Sequence, residues 1–164
     1  MIDGNSLRKA INEVMRAHGF VRKGSTWYQS REDVVAVFNL QRSAFANTYF
    51  LNIGFFLPAS GAVDSPKEQD CHLRSRAEEI WPEEQLAVIE LDNNDQRDLD
   101  DEVFLSEFKC FIDQKVVPLL VEGLTIPGLL AILRRFRVFR DRITVDGRHL
   151  LGFDDCSAGF DTQV

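Results

Sequence analysis

Residues 19–58, GFVRKGSTWYQSREDVVAVFNLQRSAFANTYFLNIGFFLP, decide the fold. Three runs rich in Val, Phe and Tyr are separated by turn-like segments, which reads as an antiparallel meander. The first run opens at Phe20 and continues through Thr26, Trp27 and Tyr28 to a polar turn at Arg31-Glu32-Asp33. In the second, Val34, Ala36, Phe38 and Leu40 point one way and Val35, Val37, Asn39 and Gln41 the other, because successive strand residues face opposite sides. In the third, Tyr49, Leu51, Ile53, Phe55 and Leu57 oppose Phe50, Asn52, Gly54 and Phe56. Apolar residues on both of its faces predict a central strand, covered on at least part of each side.

Upstream, Leu7, Ile11, Val14, Met15 and His18 form one stripe of a helix, with Asn5 or Ser6 to cap its start and Gly19 at the left-handed C-terminal position. Downstream, residues 58–69 read as loop, residues 71–76 as a short fourth strand and residues 86–91 as a fifth, with a turn at Trp81-Pro82 between them. Val103, Phe104, Phe108, Phe111, Ile112, Lys115 and Leu119 fit a helical stripe closed by Gly123, and residues 126–139 a further helix. Turn residues dominate from Thr144 onward. The fold class is therefore α+β: an N-terminal helix, a curled antiparallel sheet of four or five strands, then two or three C-terminal helices. Residues 1–152 are predicted to form a single domain and residues 153–164 a flexible tail.

With 164 residues, 45% of them apolar and 13 of them Phe, the chain can build one real core and is too short for two ordinary domains. No apolar run approaches the ~20 residues of a membrane helix, and the first residues lack the pattern of a secretory signal. Cys71, Cys110 and Cys156 are widely spaced, which predicts neither a disulfide framework nor a zinc site, and suits a reducing cytoplasm. No cofactor motif appears: phosphate-loop, GxSxG and HExxH patterns are all missing. The net charge of −7 is uneven. Residues 64–102 carry four Lys/Arg against fourteen Asp/Glu, a balance of −10, whereas residues 1–63 balance at +3.

Four landmarks carry a family resemblance: Gly19-Phe20 with the basic Gly24 turn, Asn39-Leu40-Gln41-Arg42-Ser43, Asn52-Ile53-Gly54 ending at Pro58, and Cys71-His72-Leu73-Arg74. With a Leu-rich C-terminal helix they cover roughly residues 5–135 in an order and spacing that resembles the bacterial family named domain of unknown function 4304. The resemblance implies a small cytoplasmic domain. By analogy with other small acidic domains, it also implies a protein that neutralises a toxin as its immunity partner.

Two sets of residues are candidates for binding. Asn39, Gln41 and Asn52 alternate on neighbouring strands, and a hairpin register exists that puts them on one face. His72, Arg74 and Arg76 fall on one side of the fourth strand, where guanidinium forks suit a carboxylate or phosphate. A small-ligand-binding domain or weak enzyme using the concave sheet face would bring Asn39, Gln41, Asn52, His72 and Arg74 into one concavity lined by Phe and Trp27. The plainer reading is that the amides anchor main-chain groups and the arginines pair with Glu78, Glu79, Glu83 or Glu84. His18, near a helix C-terminus, reads as a cap.

The second set is acidic. Asp92, Asp95 and Asp98 stand too far from the following helix to serve its N-terminus, so they are free to attract a basic protein partner. The same segment opposes nucleic acid, and Arg134, Arg135, Arg137, Arg140 and Arg142 spread around their helix instead of forming one face. Pairing between that cluster and the acidic segment is their expected use.

Overall fold

The computed structural model describes residues 2–31, 33–58, 65–91 and 100–153. Helix α1 (Gly4–Ala17) buries Leu7, Ala10, Ile11 and Met15. Its cap is Asp3, not Asn5 or Ser6: the Asp3 carboxylate accepts from the Ser6 backbone N–H and hydroxyl, both at 2.8 Å. A carboxylate one turn ahead satisfies an orphan N–H and also suits the positive end of the helix. Gly19 ends the helix at φ +84°, a conformation that favours glycine, and its N–H donates to the Arg16 carbonyl.

The sheet has six strands: β1 (Val21–Lys23), β2 (Thr26–Arg31), β3 (Val34–Arg42), β4 (Thr48–Phe56), β5 (Leu73–Arg76) and β6 (Val88–Glu90). All pairings are antiparallel, in the order β1-β2-β3-β4, and β5 and β6 lie one after the other along the far edge of β4. The count exceeds the four or five expected because Gly24, at φ +64°, folds the first apolar run back on itself as a tight hairpin. In the register of β3 on β4, Phe38 faces Ile53 and Asn39 faces Asn52. That register divides the sheet into two unlike faces. One face carries Trp27, Phe38, Leu40, Leu51, Ile53, Phe55 and Leu73, all within the main core.

Helix α2 (Ala77–Ile80) follows β5 directly. After residue 100 come α3 (Asp101–Phe111), a π-helical turn (Ile112–Val116), α4 (Val117–Glu122), α5 (Ile126–Arg135), α6 (Arg137–Arg142) and α7 (Val145–Leu151). These are more pieces than the two or three helices expected, and each break has a local cause. Pro118 has no N–H to donate and its ring crowds the preceding turn, and the π-turn just before it relieves both. Phe136 adopts extended backbone, φ −113° and ψ 108°, between α5 and α6. Thr144 caps α7 by accepting from the Gly147 N–H at 3.0 Å, and Gly152 closes it in the left-handed conformation. Phe104, Phe108, Ile112, Leu120, Leu129, Leu133, Phe139 and Leu151 all join the same core, with Phe139 at 6.1 Å from Phe55 between ring centroids. No single helix among the described residues is long and apolar enough to cross a membrane.

Candidate functional site

Among the described residues the second face of the sheet carries no α-helix, and it is split in two. Towards the Val35–Phe56 end, Tyr28, Val35, Val37, Phe56 and Cys71 make a small apolar cluster, covered by residues 65–71 with their short 3-10 turn, Glu68–Asp70. Lys23 of β1 holds this cover down through the Ser65 hydroxyl. Cys71 rests directly on Gly54: a Cβ there would stand 2.7 Å from the Cys71 sulfur. Burial first, then Glu68 and Asp70, push the Cys71 thiol far above its ordinary value, which works against the thiolate form.

Towards the Gln41–Phe50 end the same face is open. There a polar cleft of about 540 Å³ is lined by Gln41, Asn52, Glu68, Arg74, Ser75, Arg76, Glu79 and Arg142, and it wraps around the β5 edge. Asn52 is only 3% exposed. Its amide donates to the Gln41 side-chain oxygen at 2.9 Å and to that of Asn39 at 3.2 Å. Asn39 in turn donates to the Ser25 carbonyl and the Thr26 hydroxyl. Three amides from two strands thus form a chain in which Asn39 works behind the cleft wall while Gln41 and Asn52 form it.

The charged residues of the cleft differ in how far they are already paired. Glu79 accepts both guanidinium N–H groups of Arg142, the Ser75 hydroxyl at 2.9 Å and the Arg76 backbone N–H at 3.0 Å. Burial works against that carboxylate, yet these bonds hold it below its usual range. Arg76 lies over the Phe50 ring at 4.1 Å and approaches Glu78 at 3.6 Å. Burial pushes the Glu68 carboxyl up, against the pull of Arg74 and Arg76. Arg74 is exposed and makes no ion pair within 4 Å among the described residues.

Of the five residues expected to converge, Gln41, Asn52 and Arg74 line the cleft and Asn39 supports it. His72 stands apart: it precedes β5, is 6% exposed, and its Nδ1 accepts the Leu57 N–H at 3.0 Å beside the Phe56 ring. Burial holds its pKa down, with Asp146 of α7 pulling the other way. Trp27 belongs to the opposite face, fully buried, and its indole N–H donates to Asn12. His18 is exposed, not part of the buried stripe, and its Nε2 lies 2.7 Å from the Asp113 carboxylate. Of the arginine cluster, Arg142 pairs with Glu79, inside the acidic residues 64–102, whereas Arg135 pairs with Glu122 and Arg137 with Asp141. Asp92, Asp95, Asp98 and Cys156 lie outside the described residues. No group of three or more His, Cys, Asp or Glu among the described residues is placed to hold a metal.

One feature of this end was not read from the sequence. The β3–β4 hairpin tip displays Phe45 with its side chain completely exposed. The tip is built firmly: Ser43 Oγ accepts from the Phe45 and Ala46 N–H groups, and the Ser43 N–H donates to the Thr48 carbonyl at 2.8 Å. A phenylalanine between two alanines in a turn, SAFAN, was the available signal.

Residues 11–122 match the family described as Domain of unknown function (DUF4304), and the chain belongs to that family. No curated protein and no solved structure matches the chain.

Proposed function

We propose that this member of the family acts by binding a protein partner, with the hairpin tip as its anchor. Phe45 is the observation that carries the reading. Exposed aromatic side chains on ordered turns are the usual anchors of interfaces, because they bury much area and lose little conformational freedom. The charge of residues 64–102 supports a basic partner, drawn in by long-range attraction through Asp92, Asp95 and Asp98. A basic toxin, neutralised by being occluded, suits both features and the immunity role that the family resemblance suggests. Widely spaced cysteines, with Cys71 and Cys110 free thiols, support a reducing cytoplasm as its place of action.

Affinity purification from the native host at native salt tests the proposal. The wild-type protein should retain a basic partner, and Phe45→Ala should lose it with an unchanged melting temperature. Joint replacement of Asp92, Asp95 and Asp98 by Asn should slow association and weaken its dependence on salt. Recovery of the protein always alone, or a partner indifferent to Phe45, would sink the reading.

A second reading is favoured by the cleft itself: Gln41, Asn52 and Arg74 share one concavity whose volume lies in the range of small-ligand sites.

A further inference from the structure

We infer that the cleft on the open sheet face is an oxyanion subsite, in which Arg74 takes the charge and the Gln41–Asn52 amide pair reads the atoms beside it. The inference deepens the second reading above and does not depend on Phe45 meeting a partner.

The cations of the cleft set the case. Glu79 occupies Arg142 through two parallel bonds and accepts two further donors, so this pair is already complete. Its role is structural: it joins α6 to the start of α2 across 63 positions of sequence. Arg76 is fixed in place by Phe50 beneath it. Arg74 reaches into the same cleft from two residues earlier on the same side of β5, opposite Gly54 in the register. Glycine at that position leaves no side chain beside Arg74 on β4.

Against Arg74 and Arg76 stand two carboxylates: Glu78, 3.6 Å from Arg76, and Glu68 at the lip of the cover. Glu78 takes up Arg76, which leaves Arg74 as a cleft cation with no ion pair within 4 Å among the described residues. A guanidinium in a partly enclosed polar cleft is best satisfied by a planar or tetrahedral group with two oxygens. Glu68 is poorly solvated where it stands and competes for those arginines without closing on either within 4 Å. A ligand oxyanion would replace it. Carboxylate and phosphate share this chemistry.

Titration of the full chain with succinate, inorganic phosphate and the neutral isostere succinamide, read by backbone amide chemical shifts, tests the site. Succinate or phosphate should give saturable shifts at Asn52, Arg74 and Arg76, and succinamide none. A stronger response to succinate assigns a carboxylate ligand, and a stronger response to phosphate a phosphorylated one. Arg74→Gln should weaken binding roughly ten-fold, the factor carried by one charge-assisted hydrogen bond. Glu68→Gln should tighten it several-fold, which a merely structural Glu68 would not do. If succinamide binds as well as succinate, the cleft is a ligand site but not an oxyanion site. If none of the three gives saturable shifts with wild-type protein or Glu68→Gln, both readings of the cleft fall.

Discussion

The two faces of the sheet are built from alternate residues of the same strands, yet they do different work. On the helix side, Trp27, Phe38, Leu51, Ile53 and Phe55 are completely buried and meet side chains from five or more helices. On the other side the neighbouring residues Val37, Asn39, Gln41, Gly54, Asn52 and Arg74 pass from a small covered cluster to an open polar cleft. The main core therefore belongs to one set of positions and the open cleft to the other, and a substitution shifted by one residue along β3 meets a different environment.

The largest test of this division is Phe38→Ala. It empties a fully buried ring site on the helix face and should cost about 3–5 kcal/mol in denaturant unfolding. A loss no greater than that at Gln41 would deny that the two faces differ. Next in size is Gly54→Ala on the covered half of the second face. The added Cβ would lie 2.9 Å from the Cβ of Cys71 and should cost ~1–3 kcal/mol by lifting the cover from the sheet. Its measured cost shows how firmly that half is sealed.

His72 gives the pH dependence. Its Nδ1 must be unprotonated to accept the Leu57 N–H, and burial lowers its pKa below the ordinary value. The folded state therefore binds fewer protons than the unfolded one. Stability is full above the unfolded value and declines as pH falls through it towards the depressed folded value. The melting temperature should drop as pH falls below about 6.5, the ordinary histidine value, and His72→Gln should flatten that slope. An unchanged slope in the variant would place the titrating group elsewhere. The smallest effects are expected at the cleft: Gln41→Ala and Arg74→Ala should each alter stability by less than ~0.5 kcal/mol. A large loss at either would mean that the open half also holds the fold together.

Much of this architecture was legible because it rests on local periodicity. The alternation of Val34 through Gln41 gave the two faces, and the spacing of Leu7, Ile11 and Met15 gave α1. Helix α7 was missed because Asp146 and Gly147 are poor helix formers; its signals are the Thr144 cap and the packing of Gly147 against His72, and only the first is local. The candidate site was half legible. A shared face for Asn39, Gln41 and Asn52 follows from strand geometry, but the pairing of Arg142 with Glu79 joins residues 63 positions apart, and no short-range pattern encodes it. The displacement of His72 has the same origin: strand parity places it with Arg74, but the Leu57 N–H, the Phe56 ring and Gly147 of α7, all distant in sequence, hold it buried.

The short strands along the rim limit how this protein can meet others. Among the described residues, beyond β2 lies the three-residue β1, which carries Arg22 and Lys23, and beyond β4 lie the four residues of β5 and the three of β6. Such stubs give an incoming peptide too few unpaired amide and carbonyl groups to extend the sheet, and the charges on β1 discourage a second copy from stacking edge to edge. Edges this short disfavour pairing through the main chain and leave side chains as the surface that a partner would read.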